Sequence, residues 1–149
     1  MSYSTGEALI LTRVQACSNF SSSNTSQADW GILNSGKSDH YAILRPGVFS
    51  IEWITPLTYV AHWTTVVELW QQYTGPGTAE SSLYARAADL LAIQTYPKLG
   101  DTSGTIERNA TFSGGEDPKE MWRKDGGPMW LKWELKIEWN EETTATYSE

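Results

Sequence analysis

From Met129 to Trp139 apolar and polar positions alternate without a break. Met129, Leu131, Trp133, Leu135, Ile137 and Trp139 fall on one parity; Trp130, Lys132, Glu134, Lys136 and Glu138 fall on the other. Side chains of a strand point alternately to its two faces, so this period predicts a strand with one strongly apolar side. At strand rise it spans roughly 36 Å, longer than the usual ~17–20 Å. The Lys and Glu alternation predicts a solvated opposite face that resists edge pairing. The apolar side needs a cover, which the rest of the chain must supply.

Ser4-Thr5-Gly6-Glu7 fits a capping box, and Ile10, Leu11, Val14 and Cys17 follow at helical spacing. These predict an amphipathic helix over residues 5–17. The small polar run 18–29 predicts a flexible loop. His40–Arg45 reads as a strand, Pro46-Gly47 as a tight turn, and Val48–Ile54 as the second arm of a hairpin. Thr58–Tyr73 is β-rich with apolar residues on both parities, the mark of a central strand or of one that leaves the domain to meet a neighbour. After Gly75-Pro76-Gly77, Leu83, Ala87, Leu90 and Leu91 mark a second amphipathic helix, stopped at Tyr96-Pro97. Gly104–Ser113 alternates again. Residues 114–127 form a charged excursion bounded by glycine pairs, predicted to be a flexible loop. The tail from Asn140 is polar and expected to fray.

The order α-β-β-β-α-β-β has too few helices to cover both faces of a sheet. It predicts an α+β fold: a two-layer, mostly antiparallel sheet with two helices packed on one face. At 149 residues the chain is expected to be a single domain, 1–149. Its single cysteine, Cys17, leaves no intramolecular disulfide and reads as a small core thiol. No apolar run is long enough to span a membrane, and Met1-Ser2-Tyr3-Ser4 does not resemble a signal peptide, so a soluble, cytoplasmically made protein is expected. The net charge of −7 argues against broad electrostatic binding of nucleic acid.

The motifs of catalysis are missing. His40 and His62 are the only histidines, and neither has the spacing of a metal site or a triad. No phosphate-cradling glycine motif is present. Glu134 and Glu138 lie about 13 Å apart by strand rise, too far for paired acid–base work, and read as a solvated face. The sequence therefore predicts no enzyme and no cofactor.

What asks for a function is surplus surface. A hairpin needs two to five residues, and the 114–127 excursion spends many more. Within it Asp117, Lys119, Glu120, Met121, Trp122, Arg123 and Lys124 read either as a mobile surface loop whose Trp122 folds back onto the domain or as a docking arm anchored by Trp122. Eight tryptophans are a heavy load for this length; they read either as core and sheet packing or as a surface that recognises a partner or a sugar, with Trp63, Trp70 and Trp130 as candidate interface anchors.

The element order, the Val66-Val67-Glu68-Leu69-Trp70 strand, the helix ending at Tyr96-Pro97 before Leu99, and Gly126-Gly127-Pro128-Met129-Trp130-Leu131 entering the last strand resemble the tail terminator (tail completion) proteins of tailed bacteriophages. The resemblance covers residues 5–140 and rests on element order. It implies a structural virion protein: a six-membered homo-oligomeric ring that caps the tail tube and joins it to the neck and connector at the head–tail junction. It also implies DNA passing through the lumen without specific binding, and neither catalytic residues nor a cofactor. A neck or head-closure protein is the nearest alternative. From another class, a carbohydrate-binding module would stack sugars on Trp130, Trp53 or Trp70.

Overall fold

A computed structural model describes residues 3–73, 75, 77–91, 106–115, 120–123 and 129–144; for residues 3–5, 106–115, 120–123 and 141–144 the backbone alone is described. Within these bounds the chain is a mixed α+β protein. Helix α1 (Tyr3–Gln15) is followed by a short strand β1 (Thr25–Gln27), a 3₁₀ turn (Trp30–Asn34) and the long hairpin β2 (His40–Trp53) and β3 (Thr58–Gln72). Helix α2 (Thr78–Leu91) leads to β4 (Ile106–Gly115), β5 (Glu120–Arg123) and β6 (Met129–Thr144). The strand order is β1-β2-β3-β6-β4, with β5 also paired to β6. Among the described strands only the β1–β2 pair is parallel.

The alternating run at 129–139 is a strand, and it lies inside the sheet between β3 and β4. Leu131, Leu135, Ile137 and Trp139 are buried, with Trp133 packed beside them. They meet Ala42 and Leu44 from β2, Val67 and Leu69 from β3, and one stripe from each helix. Ile10 and Val14 supply α1's stripe; Ala79, Leu83, Ala87 and Leu90 supply that of α2. Leu91, expected in this stripe, is 41% exposed because it lies one position past the buried face. The expected stop of α2 at Tyr96-Pro97 lies outside the described residues.

The start of α1 is set by packing. The helix begins at Tyr3, so Ser4 lies inside its first turn and does not cap it. Gly6 rests directly on the Trp139 indole: a Cβ there would come within 2.0 Å of the ring. Glu7 is buried and accepts a hydrogen bond from Gln27 Nε2 at 3.1 Å. Closeness of helix to sheet, not a capping box, explains the Gly-Glu pair.

Residues 18–29 are not a loose loop. Phe20 is buried in the main core, edge-on to the His40 ring. Asn24 is buried too, accepting from the Ser21 amide (2.7 Å) and donating to the Asn19 carbonyl (2.9 Å). Thr25–Gln27 then pairs with Ala42–Leu44. Short polar side chains here bond their own backbone and hold it folded.

The turn predicted at Pro46-Gly47 does not form. Strand β2 runs through it, and the chain reverses at Ile54–Leu57. Pro46 has no N–H to give a ladder, and the register slips between Pro46 and Phe49, so the pair sits in a β-bulge. Gly47 lies against Thr64, where a Cβ would meet backbone oxygen at 3.0 Å. Proline and glycine here bend a strand instead of ending it.

The polar tail also departs from expectation. Strand β6 continues to Thr144, which pairs with Thr58 near the hairpin's end. Nor is 114–127 one free arm. Residues Glu120–Arg123 pair with Lys132–Met129 of β6. Strand β4 pairs with Glu141–Leu135 further along the same edge. The two strands thus lie end to end along β6.

Candidate functional site

The register of the three long strands orders the side chains on the helix-bearing face into rows. Leu44, Val67 and Leu135 form one row, deep under the helices. Beyond the bulge, the next rows are Phe49–Trp63–Trp139, Ile51–Ala61 and Trp53–Tyr59. Phe49 stacks on Trp63 (centroids 4.3 Å apart, planes 26° apart) and Trp63 on Trp139 (5.9 Å, 28°). Trp53 tilts against Tyr59 at 5.0 Å.

Trp139, beneath Gly6, is fully buried. At the other end of the same row Phe49 is 47% exposed, and cover fails from there outward. Val48, Phe49, Ile51, Trp53, Ile54 and Leu57 are all exposed. Phe49, Ile51 and Trp53 share the helix-bearing face and, with Ile54 and Leu57 at the turn, leave the end of the hairpin bare, while Val48 lines the groove of the opposite face. From Pro46 to the turn this β arm reaches roughly 25 Å.

The opposite face is polar and held by ion pairs. Leu33, from the 3₁₀ turn capped by Asp29, closes a small second core with Tyr41, Ile43, Trp70 and Trp130. Beside it Arg45 Nε donates to Glu68 at 2.6 Å and its Nη2 to Glu134 at 2.9 Å. Lys132 reaches Glu134 at 3.3 Å. Glu68 also accepts from the Trp30 and Trp70 indoles at 2.8 and 3.1 Å. Burial works against charge at both Arg45 and Glu134, but at Arg45 the hydrogen bonds to Glu68 and Glu134 outweigh it, and at Glu134 those from Arg45 and Lys132 do. The guanidinium is held above its ordinary range and the Glu134 carboxyl below its own. Glu134 is therefore not part of a solvated face. Glu138, as expected, is exposed.

Further along this face lies an open groove of about 710 Å³, lined among others by Arg45, Gly47, His62, Thr64, Lys136 and Glu138. Cations and carboxylates interleave along it. No group of three His, Cys, Asp or Glu side chains able to hold a metal occurs among the described residues. Ser38, Asp39 and His40 have the composition of a triad but not its geometry. Ser38 Oγ (3.3 Å) and Asp39 Oδ1 (2.7 Å) both meet His40 Nδ1, while Nε2 donates to the Asn19 carbonyl at 2.7 Å. A proton relay needs the acid and the nucleophile on opposite ring nitrogens. The trio is a brace for the 19–24 segment.

The sequence-predicted anchors fare differently. Trp63 lies half-buried at the base of the arm, next to exposed Phe49. Trp70 and Trp130 are buried in the second core, Trp130 against Tyr41, and offer the monomer's surface little. Of the three tryptophans of a sugar platform, only Trp53 is exposed, so no platform is assembled. Glu120, Met121, Trp122 and Arg123 have strand backbone in β5. Asp117, Lys119 and Lys124 lie outside the described residues.

The exposed tip itself was missed by sequence reading, which used Pro46-Gly47 as the hairpin turn and so placed Val48–Ile54 within the sheet. The signal that identifies it is Ile54-Thr55-Pro56-Leu57, a turn flanked by apolar residues where polar ones are usual. Comparison of the sequence with known protein families and with curated proteins finds no match in either. No helix among the described residues is long and apolar enough to cross a membrane.

Proposed function

We propose that the chain is a structural assembly protein of the tail-terminator type, a subunit that joins copies of itself into a ring capping a phage tail tube. The observation that carries this reading is the bare apolar face of the β2–β3 arm, with Phe49, Ile51, Trp53, Ile54 and Leu57 exposed. A surface of this kind is stable in water only when it has a partner to cover it. Its anchors are aromatic, which suits the centre of a protein interface. Closed rings use two different patches on each subunit, and a projecting arm is a natural first patch. The interleaved charges of the opposite face suit a wall that DNA passes without sticking, in keeping with the net charge of −7.

Light scattering on a size-exclusion column, repeated across concentration and after addition of purified tail tubes, tests the proposal. A six-fold mass, or a ring assembled on the tube end, supports it. A protein that stays monomeric and leaves the tubes uncapped overturns it.

A further inference from the structure

We infer that the outer edge of the β2 arm pairs antiparallel with the same edge of a second copy of this chain, about a two-fold axis at Ile51. The inference concerns the arm's edge and not its bare face, and it stands apart from the ring reading.

The hydrogen bonds around β2 show which of its backbone groups face outward. At its start Ala42 donates to the Asn24 carbonyl and the Leu44 carbonyl accepts from Ala28, so even positions face β1. At its end the Ile54 amide donates to the Thr58 carbonyl, so there even positions face β3 and odd ones face away. The extra residue in the bulge between Pro46 and Phe49 makes this reversal. Phe49, Ile51 and Trp53 therefore turn their N–H and C=O groups to the outside. Among the described residues nothing pairs with them. Strand β1 stops opposite Leu44, and the chain then passes to the other face, where Trp30 bonds Glu68. Every residue from Pro46 to Leu57 is exposed.

Edges left open to water are normally blunted by proline, lysine or a bulge. Strand β4, on the far side of the sheet, has two breaks in register, between Glu107 and Thr111 and between Phe112 and Gly114. From Phe49 to Trp53 the arm has none of these devices. An edge this regular is a template for another strand, and its own sequence fits a second copy.

Centred on Ile51, two copies set Phe49 opposite Trp53, Ile51 opposite Ile51 and Ser50 opposite Glu52. The outward groups of both strands are then all used, in about six hydrogen bonds. Aromatic meets aromatic at both ends, and the Trp139–Trp63–Phe49 row runs on through Trp53 and Tyr59 of the second copy. Val48, 77% exposed on the groove face, comes level with the second copy's Ile54. Neighbouring registers fit worse. One centred on Glu52 sets two carboxylates against each other, a repelling cross-strand pair. One centred on Ser50 runs Trp53 onto Gly47 in the bulge. Aromatic, polar, aliphatic, polar, aromatic reads alike in both directions, which is what a self-complementary contact requires.

The test replaces the residue on the axis. Ile51→Lys and Ile51→Glu each bring two like charges together, and a 1:1 mixture brings opposite ones. Ile51→Pro removes an N–H that the second copy uses and the β2–β3 ladder does not. Far-UV circular dichroism is the folding control, and the charged and proline variants stand in for each other if one misfolds. Without tail tubes, light scattering should follow the wild type from monomer to dimer across the micromolar range. Each variant alone should stay monomeric, and the Lys–Glu mixture should recover the dimer. A wild type that is monomeric at millimolar concentration overturns the pairing. So does a dimer that the substitutions leave intact, or a mixture that stays monomeric. A six-fold particle that none of them touches overturns it too, while supporting the ring reading. Charge-sensitive dimers beside uncapped tubes uphold the pairing and count against the ring.

Discussion

Glu68 and Glu134 stand directly opposite each other on β3 and β6, and Arg45 holds one carboxylate with each side of its guanidinium. Like charges at a cross-strand pair repel; here a third strand places a cation between them, with Lys132 beside Glu134 and two indoles donating to Glu68. Arg45→Met should destabilise the fold by about 2–4 kcal/mol, since removing one partner leaves buried charge uncompensated. Urea unfolding measures the loss. Adding Glu68→Gln and Glu134→Gln should recover most of it, whereas recovery by neither would mean that Arg45 acts through packing alone.

The same cluster sets the response to acid. The Glu134 carboxyl, hydrogen-bonded by Arg45 and Lys132, titrates below its ordinary range in the folded chain, and Asp39 does so through the hydrogen bond from His40. A depressed folded value contributes stability above the unfolded value, about 4, and loses it as pH falls through the folded one. Thermal midpoints should therefore hold steady from neutrality to about pH 5 and fall below about pH 4. In Arg45→Met the fall should be shallower, because Glu134 has then lost its strongest partner.

Gly6→Ala has a sign that decides between two accounts of α1. On a solvated helix surface the change stabilises by about 0.5–1 kcal/mol. Here the new methyl would enter the Trp139 ring, and overpacking of this kind costs about 1–3 kcal/mol. A lowered melting temperature is the expected outcome. A raised one would show that the helix stands off the sheet.

Tryptophan truncations should separate core from arm. Trp130→Ala empties the second core and should cost about 3–5 kcal/mol. Trp53→Ala, at an exposed position, should change monomer stability by no more than about 0.5 kcal/mol. Comparable losses at both sites would mean that the arm is packed in the monomer.

Cys17 donates to the carbonyls of Arg13 and Asp89. Burial pushes its thiol pKa up, and the nearby Asp89 charge adds to this. Alkylation at pH 7 should be several-fold slower than for a free thiol, and urea should restore the ordinary rate.

What the sequence made legible was whatever repeats locally. The 129–139 alternation and the stripes of Ile10–Val14 and Leu83–Ala87–Leu90 each follow from a period that needs no knowledge of the partner. The bulge at Pro46-Gly47 was not legible, because the same dipeptide serves a turn or a kinked strand, and the choice depends on Thr64 and Thr65 across the ladder. Phe20 and Asn24 were hidden in a polar run whose bonds are made by individual short side chains and leave no periodic trace. The interface residues split along the same line. Trp70 and Trp130 drew notice as tryptophans, yet the Tyr41 and Leu33 that bury them come from distant segments. Ile54 and Leu57 drew none, since exposure is a property of what fails to cover them.

The stacked row Phe49–Trp63–Trp139 runs without a gap from open surface to the indole beneath Gly6. Whatever seats on Phe49 thereby extends the packed interior of the subunit, and unfolding must first give up that seat. If the proposed ring forms through this surface, association and folding share one free energy, and the melting temperature is expected to climb with protein concentration. On that reading a dilute subunit is the fragile one, because its arm has nothing to cover it.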